Sequence, residues 1–66
     1  MRQFTPSENL RVELARQRKS QAKLAKETGI PESYVSSFMS GRMNLRLTEK
    51  AAIAETLNVK IDELFE

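Results

Sequence analysis

Between Pro31 and Ser40 the chain reads PESYVSSFMS: four serines (Ser33, Ser36, Ser37 and Ser40), one carboxylate (Glu32), and no lysine or arginine from Ile30 to Gly41. Such a set offers hydrogen bonding rather than bond making. A serine hydroxyl donates and accepts, but it becomes a nucleophile only beside a base. The chain has no His and no Cys, which removes the usual general base, a thiolate nucleophile and most zinc ligand sets. Its two glycines are too few for a phosphate-cradling loop, and its acids are scattered. No catalytic residue, no metal site and no cofactor is expected, and an enzyme is not. A recognition surface is.

The charge around this neutral stretch is unevenly spread. From Asn9 to Arg46, eight basic residues (Arg11, Arg16, Arg18, Lys19, Lys23, Lys26, Arg42 and Arg46) face three acids, a balance of +5. From Leu47 to Glu66, two lysines meet five acids, a balance of −3. Arg2 and Glu8 cancel in the first eight residues. A chain polarised in this way can turn one end toward a polyanion, although mixed charge on solvated helix faces produces similar numbers.

The elements that must position these residues are short helices. Sixty-six residues make one domain near the lower limit for folding without disulfides or metal. Thr5-Pro6-Ser7-Glu8 has the form of a helix start, with Thr5 as N-cap, Pro6 at the first position and Glu8 completing a capping box. Helices are predicted at about 6–18, 21–28, 31–40, 47–57 and 61–65, with Ser20 capping the second, Gly29 and Gly41 as stops, and Pro31 opening the third. Leu10 and Leu14, Leu24 and Ala25, the stripe Tyr34, Val35, Phe38 and Met39, and Leu47, Ala51, Ile53, Ala54 and Leu57 supply apolar faces at helical spacing. Tyr34 is also able to turn its hydroxyl outward. Each helix is too short to stand alone, so tertiary packing must hold them. No apolar run is long enough to span a bilayer and no signal peptide is evident, so a soluble, cytoplasmic protein is expected.

Gln21 to Ser40 resembles the helix-turn-helix of the phage repressor and Cro type, the lambda-repressor-like DNA-binding family. Ala25 is the small residue where two helices cross, Gly29 follows four residues later at the sharp turn, and Val35 and Phe38 plug the core, with Leu24 and Ile30 in the remaining apolar positions. The similarity continues through Gly41-Arg42-Met43-Asn44 and through Ile53 to Phe65. Three departures stand out. Pro31 replaces the usual Ser or Thr cap of the third helix, Met39 replaces a common Glu, and the link between the first two helices is about one residue short.

The resemblance implies an all-α, five-helix, lambda-repressor-like domain over residues 1–66, and a sequence-specific regulator of transcription that acts on double-stranded DNA. It implies that the third helix enters the major groove with Glu32, Ser33, Ser36 and Ser37 toward the bases. It also implies phosphate contacts from Lys19, Ser20 and Gln21 at the start of the second helix and from Arg42, Asn44 and Arg46 in the following loop. Affinity and specificity are separable, because phosphate contacts grip and base edges specify, so a neutral reading helix between cationic rims is workable. Serine contacts discriminate weakly, so a homodimer on a palindromic operator is expected, with Ile61, Leu64 and Phe65 as candidate contact surface unless they close the core. A small bacterial or phage-encoded repressor of Cro type, associated with the nucleoid, is the simplest assignment, with no membrane and no small-molecule ligand. The alternative is a protein-binding adaptor or antitoxin-like module of the same fold.

Overall fold

The computed structural model describes residues 5–65; Arg2 and Glu66, which entered the charge balance, lie outside them. Five helices follow one another, α1 Pro6–Arg16, α2 Gln21–Thr28, α3 Glu32–Met39, α4 Leu47–Leu57 and α5 Ile61–Phe65, with no strand among the described residues. The fold is all-α, as expected.

The helix starts follow from local chemistry. Thr5 Oγ1 accepts from Glu8 N at 3.3 Å while Glu8 Oε1 accepts from Thr5 N at 2.8 Å, so two otherwise orphan amides satisfy each other. Ser20 Oγ accepts from Lys23 N at 3.0 Å at the head of α2. Pro31 is the cap of α3 rather than its first residue, with extended ψ of 138° and no side-chain cap hydrogen bond, so this helix begins one residue later than predicted.

Three of the helix ends share one device. Each has a left-handed residue whose N–H bonds three residues back, followed by one whose N–H bonds five back. At α3 the pair is Gly41 to Phe38 O (3.0 Å) and Arg42 to Ser37 O (2.8 Å); at α4 it is Asn58 to Glu55 O (3.1 Å) and Val59 to Ala54 O (3.0 Å). At α1 it is Arg18 to Ala15 O (3.1 Å) and Lys19 to Leu14 O (2.9 Å), with Arg18 itself at φ 55°. That turn ends α1 at Arg16 rather than at 18. It also closes the short link to α2 with a side chain in a conformation that favours glycine.

The core is apolar throughout, with no buried polar or charged side chain among the described residues. Leu10 and Leu14 from α1, Leu24 and Ala25 from α2, Val35, Phe38 and Met39 from α3, and Ile53 and Leu57 from α4 meet in one cluster with Ile30, Leu45 and Leu64. Truncating any of the large ones to Ala costs roughly 2–5 kcal/mol. Phe65 lies against this cluster, its ring tilted on Phe38 with centroids 5.8 Å apart and Lys50 Nζ 5.6 Å above it. Two predicted core positions on α4 face outward instead: Leu47 is 73% exposed and Ala51 is exposed. The buried arc of α4 is centred on Ile53 and Leu57, so at 100° per residue Ala51 turns toward solvent.

Candidate nucleic-acid interface

The inward face of α3 is set by Val35, Phe38 and Met39, all buried. A 100° step per residue puts Ser33 and Ser37 opposite them, flanked by Ser36 and Tyr34, with Glu32 at the edge of the first turn. Glu32, Ser33 and Ser36 are exposed and Ser37 is half-buried. Tyr34 is 43% exposed, so it belongs to the outward face and not to the core stripe. The sequence left Tyr34 open between core and outward face because it precedes Val35 in an otherwise apolar pattern; only the complete arc of three buried residues fixes where the fourth points. Ser40 is the C-cap, and its hydroxyl bonds back to Ser36 O at 3.1 Å and Ser37 O at 3.2 Å.

The loop after α3 begins anchored. The backbone N–H of Arg42 is held by Ser37 O, fixing Arg42 one residue beyond the positive-φ Gly41. Leu45 is buried in the core cluster, while Asn44 and Arg46 on either side of it are exposed. Leu45 is thus a peg that turns its two polar neighbours outward, in the alternation of an extended segment. Arg46 is also the N-cap residue of α4, its backbone N–H donating to Glu49 Oε1 at 2.8 Å.

At the other rim, Lys19, Ser20 and Gln21 line a shallow cleft with Arg11, Leu14, Ala15 and Met39. Ser20 is exposed, and Gln21 and Lys19 are half-buried. The first amides of α2 open at this place, and the positive end of the helix dipole with them. Lys19 is less free than the sequence suggested. Its ammonium sits 2.7 Å from the Glu27 carboxylate and its side chain is only 16% exposed. The hydrogen bond from Lys19 lowers the Glu27 carboxyl below the ordinary glutamate value, outweighing the opposing desolvation, and the charges of Lys19 and Lys23 add to it. Arg11 was not among the predicted site residues. Its guanidinium reaches Met39 O at 3.5 Å from α1, beside the start of α2. Only the packing of α1 on α3 brings it there, and no sequence spacing could have shown it.

The structure therefore joins Arg42 to the last turn of α3, and Lys19, Ser20 and Gln21 to one cleft with Met39 of the same helix. Glu32 stands at the opposite end of α3, about 10 Å along the helix from Met39. A helix-turn-helix family profile matches residues 10–64. The chain belongs to the Cro/C1-type helix-turn-helix family. It is a DNA-binding transcription regulator, in a family that is typically non-enzymatic. Among solved structures, this helix-turn-helix protein is similar to the restriction-modification controller protein C.AhdI from Aeromonas hydrophila, with 30% sequence identity, a TM-score of 0.86 and 91% of each chain covered. No curated protein matches the chain. Among the described residues no helix is long and apolar enough to cross a membrane.

Proposed function

We propose that this helix-turn-helix protein represses transcription by binding a palindromic operator in double-stranded DNA as a homodimer, with α3 of each copy in the major groove. In this reading Ser33, Ser36 and Ser37 offer hydroxyls to base edges and Glu32 accepts from a cytosine amino group. Ser20 and Gln21 present the amides of α2 to a phosphate, Lys19 adds charge that it shares with Glu27, and Arg42, Asn44 and Arg46 hold phosphates on the other rim. The observation that supports it most is the pairing of a cation-free outward α3 face with Arg42, anchored by its backbone to the same helix. The anchored backbone starts the exposed Arg42 side chain from a fixed position beside that face. Similarity over nearly its whole length to a restriction-modification controller makes genes of that kind the first targets to examine.

The test is fluorescence anisotropy of duplex DNA across a salt series, followed by selection from a random pool. A repressor of this kind binds random duplex weakly at low salt with a steep salt slope, because counterions are released, and it enriches a two-fold sequence. The absence of cations from α3, with Glu32 at its start, favours a second reading as a protein-binding adaptor or antitoxin-like module. That reading predicts no association with any duplex at low salt.

A further inference from the structure

The cleft between α1 and the start of α2 holds two cations in unequal states. Lys19 shares its charge with Glu27, its ammonium 2.7 Å from that carboxylate. Arg11 has no such partner: it enters no ion pair among the described residues. The two acids of α1 are engaged elsewhere, Glu8 with Thr5 and Glu13 with Arg16 and Gln17. What Arg11 touches is an uncharged group, the carbonyl of Met39 at the last residue of α3, at 3.5 Å. That contact takes one of the five N–H donors of a guanidinium and leaves its charge uncompensated. We propose that Arg11 is a further DNA-phosphate contact, reaching from α1 to the rim where Ser20 and Gln21 open α2.

Packing decides where Arg11 stands. Leu10 and Leu14 bury one face of α1 in the core, and Arg11, one 100° step round from Leu10, falls at the edge of that face. There it lines the same cleft as Ser20, Gln21 and Met39, while remaining exposed. A guanidinium presents its N–H groups as a rigid planar fork that matches two phosphate oxygens. The Met39 carbonyl holds that fork beside the end of the reading helix, so less side-chain freedom is lost when a phosphate arrives. Because the charge of Lys19 is partly cancelled, Arg11 is the stronger attraction on this rim, as Arg42 and Arg46 are on the other. Arg16, also exposed on α1, is placed differently. It is paired with Glu13 and lines a separate groove against Leu57, Val59 and Leu64, which makes it the natural control.

The proposal rests on the reading above that a phosphate meets the start of α2, and one titration separates the two. Anisotropy of a random duplex across a salt series is measured for the full chain, Arg11→Gln, Arg11→Lys and Arg16→Gln. Arg11→Gln keeps an N–H for the Met39 carbonyl but removes the charge. It is expected to weaken binding and to lower the slope of log K against log salt by about 0.9. Arg11→Lys is expected to restore the slope, and Arg16→Gln, which removes the same charge outside the cleft, to leave it as in wild type. Circular dichroism of each variant checks that helix content is retained. A steep wild-type slope that Arg11→Gln leaves intact overturns the role of Arg11 while sparing that of Ser20 and Gln21. Weaker binding at an unchanged slope overturns it too, as does a loss that lysine does not restore, since either marks a structural part. An equal drop for Arg16→Gln overturns it by showing an effect of net charge alone. No binding of the wild type to any duplex at low salt removes the underlying reading as well.

Discussion

The backbone N–H of Arg42 donates to the carbonyl of Ser37 at 2.8 Å, so the backbone that carries the first cation after α3 is held by that helix itself. The bond depends on Gly41 at φ 80°, where a Cβ meets open space but the backbone conformation disfavours a side chain. Gly41→Ala is expected to cost about 1 kcal/mol of stability from strain alone and to weaken DNA binding beyond that by shifting Arg42. Chemical denaturation and anisotropy on the same preparation separate the two effects.

Arg42→Ala and Arg46→Ala test the rim. If both hold phosphates, each loses affinity on every sequence alike, and each lowers the slope of log K against log salt by about 0.9. Sequence preference is unchanged. A change confined to one base position would reassign that residue to reading.

Base contacts behave differently. Ser33→Ala and Ser37→Ala are expected to relax discrimination at single positions of a selected operator, each by no more than about 1 kcal/mol, below the range of a bidentate pair. Glu32→Gln is expected to raise non-specific affinity by removing repulsion while losing preference for a C·G pair. Competition binding against a panel of single-base operator variants reads all three.

Arg18 occupies a left-handed position in the turn that ends α1, and its side chain is exposed. Arg18→Gly is expected to stabilise the protein by up to about 1 kcal/mol, because relief of backbone strain exceeds the added freedom of the unfolded chain. A higher thermal midpoint checks this, and a lower one would show that the arginine side chain contributes more than its backbone costs.

The Lys19–Glu27 pair makes stability depend on acid. Glu27 has a folded pKa below its ordinary value of 4.5, chiefly through the hydrogen bond from Lys19. A depressed carboxylate contributes stability that is fully present above the unfolded value and is lost as pH falls through the folded one. Wild type is therefore expected to lose part of its stability below about pH 4.5, and Glu27→Gln is expected to flatten that part of the profile. Denaturant melts at stepped pH for the two proteins give the difference.

Much of the fold was legible because punctuation carried it. Thr5, Pro6 and Glu8, Ser20, Gly29 and Gly41 stand at helix boundaries for reasons of capping and φ that act within a few residues. Val35 and Phe38 were legible from spacing alone. The misreadings share a cause. Leu47 and Ala51 were placed inward by hydrophobicity and Tyr34 was left between two directions, whereas the direction each takes depends on which arc of its helix meets a neighbour, and that is decided by helices far along the chain. Leu45 was read as loop, and its burial needs the whole cluster to exist first. Arg11 reaches the cleft only through the packing of α1 on α3. Lys19 was legible as a cation near α2, but not as one already engaged by Glu27, because the intervening helix folds the two together.

Phe65 rests its ring on Phe38, and Asn9 Nδ2 reaches Leu64 O at 3.3 Å, so the underside of α3 and the flank of α1 are both sealed by the last turn. A ribosome making this chain has therefore exposed Gln21 to Met39 well before the residues that brace them leave the exit tunnel. The helix-turn-helix locks only once Phe65 is free to dock, and until then Phe38 is an open apolar surface for a chaperone to cover.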